Sequence, residues 1–83
     1  MKKIYRKIAL RDGGRCRVCG RLANDVHHIV FRSHSGSNDE RNLICLCRDC
    51  HTNAHADEKV WRDKLLSLQY KIYGHFEIED VKK

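Results

Sequence analysis

Two C-x2-C pairs, Cys16-Cys19 and Cys47-Cys50, constrain this chain more than any other feature of its sequence. A C-x2-C turn presents two sulfurs to one ion with little strain, and zinc takes four such ligands tetrahedrally at about 2.3 Å. Two turns therefore close one site, and four thiolates leave no open position for chemistry. The expected role is structural. Zinc is favoured over a redox pair or two disulfides, because 27 residues between the pairs suit a metal framework. The chain also needs such a staple. It has 83 residues, of which 41% are apolar and 34% charged. A chain of this length buries only about 60–65% of its unfolded surface. Metal binding would supply folding energy on the order of 10 kcal/mol, tying the N-terminal part to the C-terminal half. The fifth cysteine, Cys45, lies between Ile44 and Leu46 and reads as a small core hydrophobe.

Length limits the chain to one small domain, residues 1–83, without a large enclosed cavity. No stretch approaches the roughly 18 apolar residues of a membrane span, and no apolar signal core follows the basic start. The expectation is a soluble, unsecreted protein with no membrane partner. Net charge is +6, and eight of the 17 Lys and Arg fall within the first 24 residues, against a single Asp. This basic end suits phosphates, although a solvated helix face would look the same.

The elements can be sketched from periodicity. Residues 1–12 form a basic helix with Ile4, Ile8 and Arg11 along one face, flanked by Tyr5 and Leu10, and Gly13-Gly14 stop it. A knuckle spans 15–20. Asp25 to Phe31 is a candidate strand, the polar segment Arg32 to Arg41 a surface loop, and Leu43 to Leu46 a second strand. A helix begins near Cys47 and runs through His55. Asp57 would cap a further helix over 57–74, whose stripe Trp61, Leu65, Leu68 and Ile72 faces the core and which Gly74 ends. The tail, 75–83, carries no legible chemistry. It reads as frayed, or as a short strand through Phe76 and Ile78.

Four histidines stand in ordered relations. His27 and His28 are adjacent on the first strand, so their side chains point to opposite sides. His51 and His55 are four apart on the second helix and can reach one ion. His51 follows Cys50 directly, so the metal knuckle anchors the helix that carries both. His34 and His75 read as ordinary surface histidines.

With these residues in view, the sequence resembles the HNH endonuclease family. The resemblance is carried by Asp25-Val26-His27-His28-Ile29-Val30, by Asn42-Leu43-Ile44-Cys45-Leu46-Cys47, and by Cys50-His51 and His55. It covers about 16–55, and the family's three letters would be His28, Asn42 and His51. It implies a small α+β fold: a ββα-metal core with a four-cysteine zinc knuckle, flanked by N- and C-terminal helices. It also implies metal-dependent cleavage of DNA in a bacterial or phage-encoded cytoplasmic protein. Carried over by position, His28 is the general base that activates water, and Asn42 holds the loop and helps orient it. His27 and His51 bind the catalytic ion, with His55 as third ligand or phosphate contact. Cys16, Cys19, Cys47 and Cys50 hold the structural zinc. Some members have Asp at the position of His27 or Asn at that of His55, and the loop after Phe31 lacks a proline often found there.

Hydrolysis of a phosphodiester needs a base and a counter-charge, which an imidazole and a divalent ion supply. Mg²⁺, Mn²⁺ or Ni²⁺ would serve, with nitrogen ligands favouring the later metals. Phosphate contacts are expected from Arg32, Arg41 and Arg48 near the site. Farther out they are expected from Lys7, Arg11, Arg15 and Arg17, with Lys2, Lys3, Arg6 and Arg21. No helix rich in base-reading side chains stands out, so sequence preference should be weak. Two other readings remain open: a non-catalytic zinc module that binds nucleic acid, and a weak nuclease acting as an accessory subunit, as in phage genome packaging. No oligomer signal is legible.

Overall fold

The computed structural model describes residues 2–83. Helix α1 (Lys3–Arg11) leads into the knuckle, followed by strand β1 (Asp25–His28), strand β2 (Leu43–Leu46), helix α2 (Arg48–Ala56) and helix α3 (Glu58–Tyr73). The strands are antiparallel, with Asp25 opposite Leu46, Val26 opposite Cys45, His27 opposite Ile44 and His28 opposite Leu43. The architecture is therefore small α+β with a ββα core. Among the described residues no helix is long and apolar enough to cross a membrane.

Alternation along these two short strands assigns each face a helix. Leu43 and Cys45 pack with Ile8 of α1, and Ile4, Tyr5, Ala23 and Val26 pack around that cluster. Ile44 and Leu46 point the other way, into the main core with Ala54, Leu65 and Leu66. Cys45 is thus a core residue, 2% exposed.

Several expected details differ. β1 ends at His28, and Ile29 and Val30 turn inward as buried residues instead of extending the strand to Phe31. Leu10 projects outward at 77% exposure, because α1 directs Ile8 at the sheet. Asp57 flanks α3 but its side chain makes no capping hydrogen bond. The buried side of α3 is Leu65, Leu66 and Gln69, with Trp61 and Leu68 partly buried, while Ile72 is half exposed. The stripe is displaced because Gln69 serves as a polar tie. Its amide nitrogen donates to the carbonyls of Arg41 (2.9 Å) and Leu43 (3.0 Å), locking α3 to the start of β2.

The tail is neither frayed nor a strand. Ile78–Val81 form a 3-10 turn, and Phe76 and Val81 are buried. Its backbone joins the loop before β2: Ser37 N donates to Val81 O, and Lys83 N to Ser35 O, both at 2.9 Å. That loop is tightly seated as well as polar. A Cβ on Gly36 would lie 1.7 Å from the carbonyl oxygen of Val30, so only glycine allows the crossing.

A buried ion cluster joins α1 to the rest. The Asp12 carboxylate, 1% exposed, accepts from Arg11 (2.7 and 2.9 Å), from Arg17 (3.2 Å) and from Cys45 N (3.0 Å). Burial alone would push the Asp12 carboxyl up; the Arg11 bonds, the Cys45 N–H and the Arg17 charge together hold it below the usual range. Removing one partner from a buried pair costs about 3–5 kcal/mol, so Asp12→Ala should destabilise the protein by that order in chemical denaturation. A depressed carboxyl contributes stability above its unfolded value near 4 and loses it as pH falls through the lower folded value. The stability gap between wild type and Asp12→Asn should hold at neutral pH and shrink below about pH 4.

Candidate metal centres and catalytic cleft

The four cysteines of the two knuckles converge, with sulfurs all within 4.8 Å of one another. The Cys19 and Cys47 sulfurs are 3.5 Å apart, close to the roughly 3.8 Å edge of a tetrahedron with 2.3 Å metal–sulfur bonds. Cys16, Cys47 and Cys50 are buried and Cys19 is exposed. The local backbone builds for anions here. Burial works against the Cys16 thiolate, yet backbone N–H groups of Cys19, Cys47 and Val18 bring its pKa down to about 6. Cys50 is pushed well up, by burial and by the neighbouring sulfurs. Sulfurs this close cannot all ionise without a cation among them, and this donor set fits a metal ion. Cys47 also caps α2: its sulfur accepts from Cys50 N.

A second group lies one residue along the same helix. One ring nitrogen from each of His27, His51 and His55 falls within 4.8 Å of the others. His51 Nε2 and His55 Nε2 are 3.0 Å apart. Two nitrogens bound at about 2.1 Å to one ion lie about 3.0 to 3.4 Å apart, from right-angle to tetrahedral geometry, so this set also fits a divalent ion. Burial, then the neighbouring His51 and His55, lower the His27 pKa to about 3. The ring is 3% exposed and offers a lone pair. Asp25 Oδ2 sits 3.0 Å from His51 Nδ1. A carboxylate oxygen only accepts, so Nδ1 carries the proton and Nε2 is left free for an ion. Phe31 walls the group, its ring stacked 4.7 Å from His55 and edge-on at 5.7 Å to His27.

His28 points to the other face of β1, against the edge of Tyr5, yet it opens on the same cleft. That cleft, about 360 Å³, is lined by His27, His28, Phe31, Arg32, His51 and His55, among others. The two-stranded sheet leaves β1 at an edge, so side chains of both faces reach one hollow around it. Burial lowers the His28 pKa most; the Asn38 hydrogen bond works against it, and the charges of Arg32, Lys2 and Lys83 lower it further. Those cations come from three separate segments, the last from the tail.

Asn42 is fully buried and holds the loop rather than the ring. Its Oδ1 accepts from Val30 N (2.8 Å), and its Nδ2 donates to Val30 O (3.1 Å) and Ser37 O (2.9 Å). The His28 ring contact is Asn38, whose Oδ1 is 2.8 Å from Nε2.

The expected phosphate contacts divide into two sets. Arg32 lines the cleft, Arg48 and Arg15 are exposed, and exposed Lys7 pairs with Glu40. Arg11 and Arg17, by contrast, face inward. Arg11 also donates to the carbonyls of Glu40 and Leu43 and to the Tyr73 hydroxyl. Arg17 also donates to Gln69 Oε1 and Leu68 O. Both are spent on the Asp12 cluster. Arg41 is held in a two-pronged pair with Asp39 and donates to Asp80 O. Sequence reading did not single out Asp12, Gln69 or Asn38. Asp25 shows in the sequence as the start of a strand and of a motif, and an acid two residues before a histidine on one strand face is a usable signal for its role.

The family model for the HNH endonuclease matches residues 16–57, about half of the chain. Among curated proteins, Anaredoxin of Nostoc sp. (strain PCC 7120) is 30% identical over 59 residues, which cover 69% of this chain and 78% of that protein.

Proposed function

We propose that this chain, which belongs to the HNH endonuclease family, hydrolyses DNA phosphodiester bonds. His28 acts as general base, and His27, His51 and His55 hold one divalent ion. The observation that carries this reading is the single cleft shared by His28 and the three-imidazole group. When bound, the ion polarises the phosphate and neutralises the departing oxygen. His28 takes a proton from water on the opposite flank of the same hollow. Asp25 keeps His51 in the tautomer whose Nε2 faces its partners. Asn42 fixes the course of the loop over the cleft. Cys16, Cys19, Cys47 and Cys50 hold a structural zinc that sets the pitch of α2.

Backbone phosphates are met by Arg32 at the cleft, with the exposed Arg48, Arg15, Lys7, Lys2, Lys3, Arg6 and Arg21 as further contacts. Arg11 and Arg17 are left out, because both are turned inward onto Asp12 and internal carbonyls. Binding through such a set weakens steeply with salt. The test is nicking of supercoiled plasmid by the purified protein with Mg²⁺, Mn²⁺ or Ni²⁺, against a chelator control. Conversion to open circles with at least one ion is expected. DNA binding without cleavage under all of them would replace this reading with that of a nucleic-acid-binding module.

A further inference from the structure

We infer that Asn38 is the positioning residue of His28: its side-chain oxygen selects the ring tautomer and fixes the plane in which His28 meets water. This rests on the reading of His28 as the base. The argument begins with one contact. Asn38 Oδ1 lies 2.8 Å from His28 Nε2. An amide oxygen carries no hydrogen and can only accept, so Nε2 must donate. In a neutral ring the proton on Nε2 leaves Nδ1 as the lone-pair nitrogen. The free nitrogen is then defined by the contact instead of left to exchange between two forms.

Asn38 itself is held from several sides. On its N-terminal side, Ser37 is fastened twice to the tail, through its backbone N–H (2.9 Å) and its hydroxyl (2.8 Å), both donating to Val81 O. Asn42 Nδ2 grips the Ser37 carbonyl. On its C-terminal side, Asp39 N donates to the Ser37 hydroxyl at 3.1 Å, and the Asp39 carboxylate holds Arg41. Gly36 crosses Val30 too closely for any side chain. The loop thus has one seat, and Asn38 is the side chain it presents to the base. The tail earns a role by this route: its backbone clamps the residue before Asn38, and Val81, wholly buried, anchors the clamp.

Two variants separate positioning from structure. Asn38→Asp keeps an acceptor at the same place, and Asn38→Leu keeps the bulk but removes it. The first readout is nitrogen NMR of the His28 ring in the metal-loaded 83-residue chain. Wild type and Asn38→Asp should show protonated Nε2 and bare Nδ1, and Asn38→Leu a mixture of the two tautomers. The second is plasmid nicking. Asn38→Leu should lower kcat about tenfold, the worth of one ordered hydrogen bond, with KM within about twofold, and Asn38→Asp should recover most of the loss. A wild-type ring protonated on Nδ1 overturns the inference, and so does an Asn38→Leu ring with an unchanged tautomer. If no variant, wild type included, cuts DNA, the nuclease reading fails while the NMR result still decides the contact.

Discussion

Stripping the metal from the four-cysteine site should unfold this protein outright. The site joins two knuckles 27 residues apart in sequence, and the core around it is small. Structural zinc contributes on the order of 10 kcal/mol or more in peptides of comparable size. That matches or exceeds the whole stability of a typical domain. Elemental analysis of the dialysed protein should find one zinc per chain, and a strong chelator should abolish the helical circular dichroism signal. Cys47→Ser is the most informative variant. Serine still caps a helix well, so the start of α2 keeps its cap and only the thiolate is lost. The variant should retain no tightly held zinc and should melt broadly or not at all. Cys45→Ser serves as the control, because Cys45 lies in the cluster with Ile8 and Leu43, away from the metal sulfurs. It should keep its zinc. A chain that stays folded after full demetallation would remove this account of its stability.

The second large effect concerns His28. A positioned general base is worth about 10²–10⁴ in rate, so His28→Ala should lower plasmid nicking by that range. The side chain is half-buried, at right angles to the Tyr5 ring and in contact with Asn38 Oδ1. Its removal should leave the dichroism spectrum, the zinc content and the affinity for the catalytic ion close to wild type. Equal nicking by wild type and variant would show that water is activated elsewhere in the cleft. His27→Ala would differ in kind: it removes a buried residue from the three-imidazole group proposed to hold the ion, and metal affinity should fall with activity.

Local spacing explains why so much of the site was legible. The three-residue step within each C-x2-C pair and the four-residue step from His51 to His55 are set by turn and helix geometry alone. The placement of His27 and His28 on opposite faces follows from strand alternation, though not that the sheet edge brings both faces to one cleft. What was not legible depends on partners distant along the chain. Asp12 reaches Cys45 across 33 positions, and Gln69 reaches Leu43 across 26. Arg11 and Arg17 look like surface cations until Asp12 is seen beneath them. The tail docks through backbone hydrogen bonds, and these leave no mark on side-chain pattern. The displaced stripe of α3 has the same origin, since a buried glutamine does not count toward an apolar period.

Helix α2 places Cys50 and His51 side by side, one in each candidate metal group. An α-helix turns about 100° per residue. One residue inserted after Cys50 would leave all four sulfurs free to gather, yet would swing both imidazoles just over a quarter of the way round the helix axis. The same turn would carry Ala54 off the core, so packing and site would be lost together. At this junction the reading frame of the helix is itself part of the proposed site.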